Sequence, residues 1–119
     1  MIRSVVLAVS LAVASVAGAE ETANATAGEV RVLDKITGAI TDLTLQVGET
    51  QELGHLKVTM GACRYPVANP LGDAFGELTI TYQDNPTPVF QGWMIAKAPA
   101  LNAMDHPRYD VWMLRCITS

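Results

Sequence analysis

The chain is poor in the residue types that carry out chemistry. Its 119 residues hold two histidines, two cysteines and seven aromatic side chains. A zinc site needs three or four convergent ligands, and neither His55 nor His106 has a second His or Cys at ligand spacing. There is no G-x-S-x-G elbow, no phosphate-binding glycine loop and no H-E-x-x-H. Asp105 and Asp110 flank His106, so a carboxylate–imidazole contact can be drawn there. The simpler reading is that Asp105 and His106 shape a turn before the last strand. No catalytic, cofactor-binding or metal-binding residue is assigned, and the chain is not expected to be an enzyme.

Positive charge is also scarce. Eight basic residues stand against twelve acidic ones, for a net charge of −4. Nucleic-acid binding needs a basic footprint, and attraction to anionic lipid needs a polybasic segment, so neither is expected. Long apolar runs are missing after the first twenty residues. Val5 to Val16 is apolar except at Ser10 and Ser15, follows Arg3, and precedes Ala17-Gly18-Ala19. That is the layout of a secretory signal peptide cut after Ala19. The run is about a dozen residues long, whereas a spanning helix needs roughly 20. No cysteine near the cut would take a lipid. The expected product is an exported, periplasmic chain without a membrane span, large enough for one small domain.

In an exported chain an even cysteine count points to a disulfide. Cys63 and Cys116 lie far apart in sequence, unlike the close pair of a redox motif, and a structural bridge is the favoured reading over two buried thiols. Closing that loop is worth about 4 kcal/mol in the chain-entropy account.

What the sequence does contain is alternation. Glu20 to Gly28 is small and polar and reads as a flexible leader, with the domain running from about Glu29 to Ile117. Within it, apolar residues recur every second position: Val30 and Val32; Leu43, Leu45 and Val47; Leu56, Val58 and Met60; Leu78, Ile80 and Tyr82; Trp112, Leu114 and Cys116. A period of two sets one face against a core. The last run is apolar on both faces apart from Arg115, which suits a central strand or one covered on its second side. Asp34 or Glu77 is the expected partner of Arg115. Gly28, Gly38 and Gly48, with loops at Pro66–Gly72 and Asp84–Pro88, punctuate the chain as short antiparallel strands require. Gly61 marks a slip in the alternation where a bulge is expected. Pro99 to Met104 reads as a helical turn, started by Pro99 and stopped by His106-Pro107. The expected fold is mainly β: a small antiparallel β-sandwich or barrel with one short helical turn and a single disulfide.

Trp and Met are enriched at binding hot spots and interface cores, and they also fill small β cores. Trp112 is assigned to the core with Leu114 and Cys116. For Trp93, beside Gly92, both roles stay open. The candidate interaction surface is Phe90, Trp93, Met94, Leu101 and His106. The alternative is a small-ligand or envelope-polymer binding module with a pocket lined by Trp93, Tyr65 or Tyr82.

Several blocks together carry a family resemblance: Leu33-Asp34-Lys35-Ile36-Thr37-Gly38, Ala62-Cys63-Arg64-Tyr65-Pro66, Ala74-Phe75, Phe90-Gln91-Gly92-Trp93-Met94, Pro99 through Pro107, and Tyr109 through Cys116. In this order they resemble DUF2155, a domain family of exported alphaproteobacterial proteins. Gly76, where a larger apolar residue is expected, and Lys97, in place of a small one, are the departures. The resemblance implies an exported, disulfide-capable, non-catalytic β domain with a protein partner. It also implies a place as accessory subunit on the periplasmic side of the respiratory NADH:quinone oxidoreductase. It brings no catalytic residues.

Overall fold

Leu56, Val58 and Met60 are fully buried, and Lys57 between them is exposed. The same in–out rhythm holds for Val30 and Val32, Leu43 and Leu45, and Leu78 and Ile80. In a computed structural model that describes residues 21–118, these runs are strands of two antiparallel sheets. The strands are β1 (Thr22–Ala25), β2 (Ala27–Asp34), β3 (Ile40–Gln46), β4 (Thr50–Leu53), β5 (Leu56–Pro66), β6 (Phe75–Tyr82), β7 (Phe90–Ile95) and β8 (Tyr109–Ile117). A single 3-10 turn, Pro99–Leu101, lies between β7 and β8. The first sheet has the order β1-β5-β6-β7, with β4 also paired to β5, and the second has the order β3-β2-β8. Their inward faces form one core. The expected signal peptide and its cut after Ala19 lie outside the described residues.

The chain passes from one sheet to the other at two corners. Ala25 pairs with Cys63 in the first sheet, and two residues on, Ala27 pairs with Gln46 and Ile117 in the second. The second corner is Val47–Glu49, where Gly48 takes a positive φ of 88° and its N–H donates to the Met60 carbonyl. Glycine reaches that φ without the penalty that a Cβ brings.

The disulfide is present. Cys63 on β5 and Cys116 on β8 are bonded, with Cα atoms 5.8 Å apart, so the bridge ties the two sheets together through the core. The bulge expected at Gly61 is there too: Met60 faces Leu78 and Ala62 faces Glu77, leaving Gly61 as the extra residue. At Gly76, a Cβ would stand 2.5 Å from Met113 Sδ, so the volume of the larger residue expected there is supplied by a side chain from the other sheet.

Three expectations need correction. Thr22–Gly28 is not a flexible leader, because β1 and the start of β2 occupy it. β1 is an edge strand held by its backbone ladder to Cys63–Pro66, and such a strand needs no apolar period. Trp112 is not on the core face. Glu29 pairs with Arg115 but Val30 pairs with Met113, so Leu114 is an extra residue in β8. That bulge puts Tyr109, Val111 and Met113 inward and then Cys116, leaving Trp112 half-buried on the other side. Of the two alternatives for β8, the second holds: the strand is the edge of its sheet, and its other face is partly covered, Trp112 being half-buried in a shallow depression of about 240 Å³ shared with Pro99, Ala100, Ala103 and Met104. Arg115 pairs with its cross-strand neighbour Glu29 at 3.3 Å, and not with Asp34 or Glu77.

Candidate functional site

The surface expected over Phe90, Trp93, Met94, Leu101 and His106 is not a single surface. Phe90 (8% exposed), Met94 (3%) and His106 (9%) are buried, whereas Trp93 (38%) and Leu101 (76%) are exposed. The reason is the strand period. Trp93 and Met94 are adjacent on β7, and adjacent strand residues point to opposite faces. Gln91, Trp93 and Ile95 therefore face outward, and Phe90 and Met94 enter the core.

Trp93 opens onto a groove of about 300 Å³ lined by Thr22, Arg64, Phe75, Trp93 and Ile95. Four strands contribute to it. Arg64 of β5 pairs with Phe75 of β6, which pairs with Ile95 of β7, so these three stand in one row across the sheet. Thr22 of β1 lines the far end from a diagonal position, since it pairs with Pro66 while Asn24 pairs with Arg64. The groove thus runs across the strands on the outer face of the first sheet. Its lining is apolar apart from Thr22 and Arg64. Among the described residues the Arg64 guanidinium makes no ion pair or hydrogen bond, whereas Arg31, Arg108 and Arg115 each hold a carboxylate within 3.3 Å. Glu77 is on the same outer face but sits against Gly61, with its Oε1 3.1 Å from where a glycine Cβ would be. One side chain polices the groove's margin: Asn102 Nδ2 donates to the Trp93 carbonyl at 2.7 Å, on the edge of β7 that no strand covers.

His106 lies in a different environment. Its Nδ1 accepts from the backbone N–H groups of Arg108, at 3.1 Å, and Tyr109, at 3.2 Å. Its ring meets Tyr82 at 4.5 Å between centroids. Arg108 reaches across to Asp34 at 3.2 Å and lies 5.2 Å from the Tyr109 ring centroid. Loss of water around Asp34 opposes its charge, but N–H donation from Ile36 and Thr37 and the Arg108 guanidinium outweigh that and hold its carboxyl below the usual range. Donation to Asp34 raises Arg108 correspondingly. Asp110 turns its Oδ1 to the N–H of Val111, and Asp105 is exposed. No hydrogen bond or ion pair joins Asp105, His106 and Asp110 among the described residues. The three rings named for a ligand pocket are also dispersed: Tyr82 packs against His106, and Tyr65 follows Arg64 on β5 and so faces away from the groove that Trp93 lines. No group of three or more His, Cys, Asp or Glu side chains could hold a metal ion among the described residues.

A profile of DUF2155, described as an uncharacterized protein conserved in bacteria, matches residues 28–116. The chain belongs to the DUF2155 family. The matched span of this DUF2155 domain starts at Gly28 beside the disulfide and ends at Cys116, so it holds both cysteines and the groove residues Arg64, Phe75, Trp93 and Ile95. An uncharacterized protein of Rickettsia prowazekii (strain Madrid E) is 30% identical over 96 residues, which covers 78% of this chain. The chain spans 62% of that relative's length. No solved structure matches the chain. Sequence reading picked out Trp93 but missed Arg64, Phe75 and Ile95 as site residues. They come from three strands, and only the strand register aligns them.

Proposed function

We propose that this DUF2155 protein is a non-catalytic docking module of the periplasm, and that it serves as an accessory subunit on the periplasmic side of the respiratory NADH:quinone oxidoreductase. The observation that carries the docking role is the transverse apolar groove around Trp93, a ring left open beside Phe75 and Ile95 on the outer face of a sheet whose inner face forms the core. Apolar surface gains about 25 cal/mol per Å² when it leaves water, and the groove offers that gain only to something that covers it, against the cost of association. The inter-sheet disulfide supports the compartment, since such bonds persist outside reducing cytosol. No helix among the described residues is long and apolar enough to cross a membrane. The choice of complex comes from the family resemblance.

The test is affinity purification of the tagged full chain from gently solubilised native membranes. Subunits of the quinone oxidoreductase should co-purify with the wild type and be lost with Trp93→Glu. A wild-type chain that elutes free of the complex overturns the subunit assignment.

A further inference from the structure

We infer that the groove takes a short segment of a partner protein in which an acidic residue adjoins an aromatic or aliphatic one, with the carboxylate received by Arg64. This rests on the docking role proposed above and adds the chemistry of the occupant.

The dimensions come first. From β1 to β7 the groove crosses three strand spacings, about 14 Å at the ~4.8 Å separation of paired strands. An extended chain covers that in roughly four residues at ~3.3 Å each. The occupant is therefore a short peptide segment lying across the strands. It does not join the ladder by adding a strand to β7, because the Asn102 amide already holds the Trp93 carbonyl on that edge. Recognition falls to side chains.

The charge comes next. Phe75, Trp93 and Ile95 form an apolar stretch ending at Arg64, the one charged side chain in the lining. Of the four arginines among the described residues, three hold a carboxylate and Arg64 does not. This is so in a chain with more acids than bases. Glu77, an acid on the same face placed diagonally from Arg64 by the strand register, sits over Gly61 instead. A guanidinium presents a planar fork of donors that matches a carboxylate. Beside aromatic rings, that fork is a common centre of binding energy in protein interfaces. A nucleic acid or an anionic membrane would need a row of such cations, and here there is one.

The test is selection of random short peptides, displayed on phage, against the full chain produced in an oxidising compartment. Wild type, Arg64→Glu and Trp93→Ala are compared, each checked for its disulfide and thermal midpoint; both positions are exposed, so all three are expected to fold. The wild type should enrich peptides that place Asp or Glu next to an apolar residue. Arg64→Glu should enrich Lys or Arg at that place instead. A synthetic peptide from the wild-type pool should bind Arg64→Gln about tenfold more weakly. Trp93-dependent peptides with no acidic preference overturn the inference and leave the docking role standing. Failure to enrich any Trp93-dependent peptide overturns both. A concentration-dependent dimer abolished by Trp93→Ala, or Arg64-dependent binding to phosphatidylglycerol vesicles, assigns the groove to a second copy or to lipid and overturns the inference.

Discussion

Gly28 and Cys63 come from opposite sheets and approach so closely that a Cβ on Gly28 would stand 2.8 Å from the Cys63 sulfur. Gly28 is also the cross-strand partner of Cys116, so it lies beneath both ends of the bridge. The other close atoms, Met60 Cε and Sδ, belong to the end of a flexible side chain that can move aside. The bonded sulfur cannot. Gly28→Ala should therefore cost about 1–3 kcal/mol, as overpacking of a core does. The cost should shrink when Cys63 and Cys116 are both alanine. Urea titrations of the four proteins in this cycle measure it, and equal costs in both backgrounds would show that the bridge is not what crowds Gly28.

The bridge itself should be a large part of the stability. Cys63→Ala with Cys116→Ala lengthens the unfolded chain's freedom by a closed loop of 53 residues' separation, worth about 4 kcal/mol if strain is small. Domains of this size are stable by roughly 5–15 kcal/mol. The double variant should then unfold at markedly lower denaturant, with an unchanged native circular dichroism spectrum. A midpoint within error of the wild type would mean that packing between the sheets alone holds them.

His106 is predicted to act as an acceptor for the start of β8. Its Nδ1 takes two backbone N–H groups, one of them, on Tyr109, buried. His106→Ala leaves that donor without a partner, at about 1–3 kcal/mol. His106→Asn places a carbonyl oxygen close to the same position and should recover a substantial part of the loss. Thermal melts decide between this and simple ring packing against Tyr82, for which Asn would be no better than Ala.

Asp34 makes acid stability predictable in sign. Its carboxyl is held below its ordinary 3.8 by Ile36 and Thr37 N–H groups and by Arg108, against the loss of water. A group whose folded pKa is depressed contributes fully above its unfolded pKa and loses that contribution as pH falls through the folded value. Asp34→Asn keeps an oxygen for the two N–H groups and removes the charge. The variant should be less stable than wild type near neutral pH, and the gap should narrow as pH falls below 3.8. A gap that stays constant from neutral to strongly acidic pH would show that the Arg108 pair adds nothing.

Much of this fold can be read from alternation, because burying one face of a strand forces a period of two on its side chains. The runs around Val30, Leu43, Leu56 and Leu78 show it, and so does the pause at Gly61. The last strand misleads for one physical reason: the bulge at Leu114 inverts the faces between Met113 and Cys116, so the face counted back from Cys116 holds Trp112 wrongly. β1 leaves no trace, since Thr22–Ala25 is held by backbone hydrogen bonds and its side chains need no pattern. The groove was legible only at Trp93. Arg64, Phe75 and Ile95 meet through registers set by two separate hairpin connections, and a linear sequence does not contain that alignment in any local pattern.

Asn102 carries the last prediction. β7 ends the first sheet, and an uncovered edge is a template on which another chain can pair. Ala96 N–H bonds the Ala74 carbonyl, so the alternate residues of β7 bond β6 and the Trp93 carbonyl faces away from it. That carbonyl is taken by the Asn102 side chain, carried there by the segment that follows the Pro99–Leu101 turn. Asn102→Ala frees an acceptor beside an exposed tryptophan, the combination that favours edge-to-edge pairing. Because Asn102 is exposed, the loss in stability should be about 1 kcal/mol or less. The larger effect should be on association: faster growth of β-rich aggregates at high concentration, followed by light scattering and thioflavin fluorescence, and suppressed again by Gln91→Lys on the outward face of the same strand. Equal aggregation rates for wild type and Asn102→Ala at matched stability would mean that the β7–β8 connection shields this edge by its bulk, and that the amide at position 102 is not the guard.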